Sequence, residues 1–121
     1  MTFISALILL INLNRTPSTQ LRLSPKLEEV AQYRAEQSYA DFSHEGFTKA
    51  FQKFDYEYGE AGENLAKGYL ATSTIWRAIL IDDAFLNSPT HRENMLDPAW
   101  RDVGIGVYKN VVAVEFGYLN P

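Results

Sequence analysis

An unbroken apolar run opens the chain and predicts its first helix. Phe3–Leu13 reads FISALILLINL, which is too short to cross a bilayer, because a spanning helix needs about 20 apolar residues. No Lys or Arg precedes the run and no small-x-small cleavage pattern follows it, so a secretory signal is disfavoured. We therefore expect a buried helix that belongs to the domain.

Apolar positions at helical spacing predict a second helix that begins at Ser24-Pro25 and ends near Asp41. Serine is a common helix cap, and proline fits the first helical turn. The positions that share the predicted buried face are Leu27, Ala31, Ala35, Ser38 and Phe42. This spacing is typical of an amphipathic helix packed on a core.

Three more helical patterns follow. Phenylalanines at 47, 51 and 54 predict a short amphipathic helix. Residues 72–87 predict a long helix, which Asn87-Ser88-Pro89 interrupts. We expect Ser88 to cap a further short helix, which ends at Asp97-Pro98.

The remaining pattern is that of strands. Residues 56–66 contain two glycines and predict a loop that runs into an extended segment. Residues 103–107 alternate Val, Ile and Val with glycine, which predicts a strand with one bare face that a helix or a ligand can approach closely. After a turn at 109–110, residues 111–118 complete an antiparallel hairpin. Helices come first and strands do not alternate with them, so we predict an α+β fold with helices packed on a small antiparallel sheet.

Composition narrows the function classes. The 121 residues amount to one domain, predicted over residues 1–121, and 46% of them are apolar. Cysteine is absent, which excludes disulfides, a thiol nucleophile and a thiolate zinc site. The net charge is −4, so the whole chain carries no basic footprint for nucleic acid or for an anionic membrane.

Candidate chemistry rests on the two histidines, His44 and His91, and on Glu63. Taken singly, His44 is typical of a loop after a helix and Glu63 of a solvated surface. His91 lies in a predicted first helical turn, where the helix dipole favours the neutral imidazole that binds metals or acts as a base. The alternative is a local capping contact with Ser88, with the ring facing water. Together, two imidazoles and a carboxylate match an open zinc site with one position left to water, although no HExxH spacing is present.

Five segments in order resemble a known family. They are residues 42–46 (FSHEG), 62–66 (GENLA), 87–96 (NSPTHRENML), 103–107 (VGIGV) and 115–117 (EFG). Together they resemble the CAP superfamily, whose domain is also called SCP or PR-1-like, and in particular its compact bacterial branch. The resemblance covers nearly the whole chain, and the combination of the 62–66 and 87–96 segments is specific.

The resemblance implies a three-layer α-β-α sandwich with a central cleft that His44, Glu63 and His91 line. Many members bind a divalent metal in this cleft, so the resemblance implies Zn²⁺ or another divalent cation on these three residues and no organic cofactor. Three positions differ from the family pattern. Ser88 stands where a second acid is expected, Phe85 where tryptophan is usual, and Glu115 where glutamine is common.

Three functions follow as expectations for this bacterial or phage-type chain. The first is a binding module at a cell surface or envelope, which takes a small apolar ligand, a cell-envelope component or a protein partner. The second is a metal-assisted hydrolase of peptide or cell-envelope bonds, with Glu63 as ligand or general base. The third is a docking component of a larger particle or surface assembly.

The missing acid and the lack of a defined nucleophile favour binding over catalysis. We expect neither nucleic acid as a partner nor an integral membrane protein. By resemblance the chain is extracellular or surface-associated. Because it lacks a convincing signal peptide, cytoplasmic production and carriage on a particle stay open as alternatives.

Overall fold

A computed structural model describes residues 1–119 as five helices around a four-stranded sheet. The helices are α1 (Phe3–Leu13), α2 (Pro25–Ala40), α3 (Phe47–Lys53), α4 (Thr74–Leu86) and α5 (Pro89–Leu96), with a short 3₁₀ turn at Pro17–Thr19. The strands are β1 (Arg22–Leu23), β2 (Tyr58–Lys67), β3 (Asp102–Tyr108) and β4 (Val111–Leu119). Within the described part of the chain, no helix is both long and apolar enough to cross a membrane.

The strands lie in the order β1-β3-β4-β2. The predicted hairpin is confirmed, because β3 pairs antiparallel with β4, and β2 extends the sheet antiparallel to β4. The pairing of β1 with β3 is parallel and was not predicted, because a strand of two residues carries no alternation to recognise. This order places β2 at one edge of the sheet.

Helices cover both faces of the sheet. On one face, Val103, Ile105, Val114 and Phe116 belong to the main apolar core, to which α1, α4 and α5 contribute. On the other face, α2 packs along β3 and β4, and α3 adds Phe51 against α2. The predicted α+β class and the three-layer α-β-α sandwich are therefore confirmed.

Two glycines of β3 let α2 approach the sheet closely. A Cβ added to Gly104 would lie 2.1 Å from the carbonyl carbon of Leu27, and one added to Gly106 would lie 2.3 Å from that of Ala31. Hence only glycine permits this separation between α2 and β3. The bare strand face predicted from the sequence is the face that the helix uses.

Most predicted helix bounds agree with the structure. α1 covers the predicted residues, and Ser24 caps α2 by accepting a hydrogen bond from the Leu27 amide. The placement of Phe42 on the buried face was wrong, because α2 ends at Ala40 and the Phe42 side chain is 46% exposed. The extended segment predicted within residues 56–66 is confirmed as β2, but the loop before it is shorter than expected, since β2 begins at Tyr58.

Candidate functional site

A polar cavity of about 390 Å³ lies at the β2 edge of the sheet. Its lining consists of His44, Glu63, Asn64, Thr90, His91, Glu93, Asn94 and Asp97. All three residues singled out from the sequence therefore line one cavity, although 47 positions separate the first from the last. The fold brings them together by placing the loop after α2 and the start of α5 on either side of β2.

Neighbouring residues of β2 face opposite layers of the sandwich. Side chains alternate along a strand, so Glu63 meets α2 through Arg34, whereas Asn64 meets α5 by donating to the backbone oxygen of His91. The cavity therefore extends across the edge of the sheet and is built by both helical layers.

Glu63 is held by a buried arginine that the sequence analysis did not single out. The Nε of Arg34 donates to one carboxylate oxygen at 2.8 Å, and its Nη2 donates to the other at 2.9 Å. Both side chains are almost fully buried, at 1% and 2% exposure. Burial opposes ionisation of Glu63, but hydrogen bonds from Arg34, Glu115 and His44 outweigh it and lower its pKa. Glu63 is consequently an anion at neutral pH.

Arg34 also fixes the loop that carries His44. Its Nη2 donates to the backbone oxygen of Ser43, the residue before His44, at 2.6 Å. Its Nη1 donates to the side-chain oxygen of Gln37. One signal could have indicated this role, because Arg34 follows the apolar Ala31 by three positions on the buried face of α2.

Glu115 lies directly opposite Glu63 in the antiparallel register of β2 and β4, and it is completely buried. Neither of its oxygens has a hydrogen-bond donor among residues 1–119. Burial raises the pKa of Glu115 well above its ordinary value, and the neighbouring Glu63 carboxylate raises it further. Both effects favour the protonated, neutral form of Glu115.

His44 contacts the same carboxylate from the solvent side. Its Nδ1 lies 2.8 Å from Oε1 of Glu63, and the ring is 61% exposed. An ionised carboxylate only accepts hydrogen bonds, so Nδ1 carries the hydrogen. In the neutral ring the lone pair then lies on Nε2, which has no hydrogen-bond partner within residues 1–119.

His91 is held by its own helix start. The Nδ1 of His91 lies 2.8 Å from Oγ of Ser88, and the ring stacks on Phe85 with centroids 5.3 Å apart. Ser88 occupies the cap position as predicted, but its side chain bonds the imidazole instead of a backbone amide. Burial lowers the pKa of His91, and the charge of His44 lowers it further. The ring is therefore neutral at pH 7.

A chain of amides fixes α5 against β2. Asn94 donates to the side-chain oxygen of Asn64 at 3.0 Å, and Asn64 donates to the backbone oxygen of His91 at the same distance. The indole of Trp100 donates to the backbone oxygen of Asn94 at 2.7 Å. Sequence reasoning missed these roles, although both asparagines lie inside the segments that carried the resemblance. The hydrogen bonds of Asn64 and Asn94 set the position of His91 relative to Glu63.

The three predicted ligands do not fit a shared metal ion as they are arranged. Both oxygens of Glu63 accept hydrogen bonds from Arg34, and a guanidinium repels a cation. Over residues 1–119, no group of three or more His, Asp or Glu side chains is placed to hold an ion. The two imidazoles remain as donors, and metal binding by them stays a prediction.

The arrangement is also unfavourable for Glu63 as a general base. A carboxylate with a lowered pKa that is bound by an arginine is a weak proton acceptor. The hydrolase prediction accordingly gains no support from the site geometry.

The fold and the site together describe a small α-β-α sandwich domain with a cleft at the sheet edge, lined by two histidines and a buried glutamate. The sequence profile of CAP, the cysteine-rich secretory protein family, matches residues 14–113. The chain therefore belongs to the CAP family, as the resemblance predicted, even though it contains no cysteine.

Several solved structures share this fold. An extracellular SCP-domain protein from Bacillus anthracis superposes with a TM-score of 0.81 at 21% identity over 96% of this chain. A cysteine-rich secretory protein from Staphylococcus aureus gives 0.74 at 16% identity over 95% of this chain. An outer surface protein from Borrelia burgdorferi gives 0.72 at 23% identity over 96% of this chain.

The chain spans 40% and 38% of the first two structures, and 88% of the Borrelia protein. At these identities the superpositions show a shared fold and not a shared activity. No curated protein matches this chain.

Proposed function

We propose that this CAP domain is a binding module at a cell surface or envelope, and that its cleft takes a polar ligand. The surface location is supported by the Bacillus relative, which is described as extracellular, and by the Borrelia relative, which is described as an outer surface protein. The cleft argues for binding because it presents hydrogen-bonding groups and no activated nucleophile.

The composition of the cavity lining carries this proposal. All eight lining residues are polar or titratable, and none is Lys or Arg. Of its three acids, Glu63 is neutralised by Arg34, which leaves Glu93 and Asp97 uncompensated within the lining. This lining suits a ligand that bears hydroxyl or amine groups, such as a component of a cell-envelope glycan or peptide, and it does not suit the small apolar ligand expected from the sequence.

Titration with a soluble amino-sugar oligomer, followed by amide chemical shifts of the full chain, tests the proposal. We expect shifts confined to the cleft, and a loss of binding of about tenfold in His44→Ala, which removes one hydrogen-bonding ring. His44 is mostly exposed, so this variant should fold. Gln52→Ala, an exposed change on α3, is the matched control. Shifts spread evenly over the surface, or unchanged binding by His44→Ala, would contradict the proposal for this ligand class.

We further propose that the two imidazoles bind a divalent cation weakly, with Zn²⁺ as the probe. The observation that favours it is that His44 and His91 line one cavity while each keeps Nε2 free of protein partners among the described residues. Because protons and metal compete for these nitrogens, calorimetry should detect Zn²⁺ binding at pH 7.5 and none at pH 5.5. His91→Ala should abolish it. Absence of binding by the unaltered chain at pH 7.5 would exclude a metal role while leaving the polar ligand proposal standing.

A further inference from the structure

One end of the molecule exposes a group of large apolar side chains that the cleft does not use. The group lies in the β2–α4 loop and the first turn of α4. Its members are Tyr69, Leu70, Ile75 and Trp76, with exposures of 46%, 65%, 51% and 59%. We refer to these four residues as the apolar tip. Exposure of four such side chains within eight positions is costly in water unless something covers them.

Cations surround the apolar tip and acids are absent from it. Residues 64–81 contain Lys67 and Arg77 and no Asp or Glu, in a chain that has 15 acids. The Gly68 amide donates to the backbone oxygen of Asn110 at 2.9 Å, which brings the β3–β4 turn and its Lys109 beside the loop. A chain with net charge −4 therefore carries a locally positive end.

Aromatic rings hold the two exposed lysines in place. Nζ of Lys109 lies 4.7 Å from the ring centroid of Tyr39, and Nζ of Lys67 lies 5.9 Å from the same ring. Lys67 also lies 6.0 Å from the ring of Phe42, which the end of α2 leaves exposed. Asp41, which precedes Phe42 in the sequence, lines a separate cavity with Arg34 and Lys49. The ammonium groups are thus paired with π faces, which leaves their charge uncompensated.

We propose that the apolar tip, with Lys67 and Lys109, docks on the surface of an anionic lipid bilayer. Trp and Tyr favour the bilayer interface, aliphatic Leu70 and Ile75 gain by entering the acyl boundary, and lysines are attracted to anionic headgroups. The positive charge favours an anionic bilayer over a neutral one. The aliphatic side chains favour a bilayer over a nucleic acid. This surface is distinct from the cleft, and the proposal does not depend on the function proposed there.

Vesicle binding by the full chain tests the proposal. We expect co-sedimentation with vesicles of phosphatidylcholine and phosphatidylglycerol, weaker binding at high salt, and little binding to phosphatidylcholine alone. Trp100 is 5% exposed, so a blue shift of tryptophan fluorescence on binding reports Trp76. Leu70→Ser should lower partitioning about tenfold. Lys67→Gln and Lys109→Gln should each lower it about fivefold.

Matched substitutions outside the apolar tip distinguish docking by this surface from non-specific adhesion of the protein to vesicles. Leu13→Ser alters another exposed leucine, at 72% exposure on α1, and Lys26→Gln removes a distant charge; both should leave vesicle binding unchanged. Equal losses in these controls, or no binding to anionic vesicles, would overturn the proposal. Self-association that Leu70→Ser abolishes, without vesicle binding, would assign the apolar tip to a second copy of the chain and would overturn it as well.

Discussion

At the residue scale, the site depends on the charge balance among three buried ionisable groups, Arg34, Glu63 and Glu115. Arg34 contributes one positive charge and Glu63 one negative charge, so the group is neutral as long as Glu115 keeps its proton. Ionising Glu115 would place a second anion in the middle of the sheet without a donor to receive it. Protonation of this one carboxyl therefore couples the stability of the sheet to pH.

Glu115→Gln should stabilise the protein at neutral and alkaline pH. The native state holds the proton of Glu115 above pH 4.5, where an unfolded glutamate loses it, so the stability of the unaltered protein falls as pH rises through that window. Glutamine cannot ionise, and it has nearly the same size and shape as the protonated acid. We expect a gain of about 1–3 kcal/mol at pH 8 and a negligible difference at pH 4, measured by urea unfolding.

A constant difference between the two proteins from pH 4 to pH 8 would mean that Glu115 has the same pKa in the native and unfolded states, and would contradict the prediction. Glu57→Gln, an exposed change in the loop before β2, is the control for general charge effects on the unfolding curves.

Replacement of Arg34 should lower the free energy of unfolding substantially, because the loss involves a buried charge as well as packing. Arg34→Met keeps an unbranched apolar stem but leaves Glu63 buried without its cation, which typically costs about 3–5 kcal/mol. Arg34→Lys should give an intermediate loss, because lysine supplies the charge and not the two-pronged hydrogen bond. Urea unfolding at pH 7 measures both. A loss below about 1 kcal/mol in Arg34→Met would show that Glu63 takes up a proton or water instead.

The sequence could predict the cleft-lining trio but not this network beneath it. His44, Glu63 and His91 lie in motifs that a resemblance carries across. Arg34 shares a helix face with core residues, and Glu115 lies in a strand of apolar neighbours. Their roles depend on the register that places Glu115 opposite Glu63, and on α2 lying across that pair, neither of which a single sequence encodes locally.

At the element scale, the separation between α2 and β3 is the most tightly constrained feature. Gly104→Ala should cost about 1–3 kcal/mol or more, because the added Cβ would meet the backbone of Leu27, which can only yield by moving the helix. Thermal unfolding measures this loss.

Gly62→Ala is the informative comparison for that prediction. The atoms nearest to a Cβ there belong to the side chains of Asn94 and Trp100, which can rotate or shift. We expect a smaller loss than in Gly104→Ala, and the opposite order would show that α2 moves easily relative to the sheet.

The helices were more predictable than the strands for a physical reason. Capping residues and prolines mark helix ends locally, so the starts at Ser24 and Ser88 could be read directly from the sequence. β2 contains two glycines and three charged residues, and its strand character comes from nine pairings with β4. A strand defined by its partner carries little local pattern of its own.

At the scale of the whole molecule, α1 is part of the sandwich although the family profile begins at residue 14. Leu7 and Ile11 are fully buried in the main core, and α1 packs along α4. Deletion of residues 1–13 should therefore expose core surface and give an aggregating product without a cooperative thermal transition. Leu13→Glu, an exposed change on the same helix, should behave like the unaltered protein in solubility and melting. A soluble, cooperatively folded truncation would show that α1 is dispensable.

The alternation of Glu63 and Asn64 on an edge strand has a mechanical consequence. Through these two residues the cleft is anchored in α2 on one side of the sheet and in α5 on the other. A ligand bound there would contact residues that are held by both helical layers. We therefore expect a bound ligand to oppose movement of either helical layer away from the sheet.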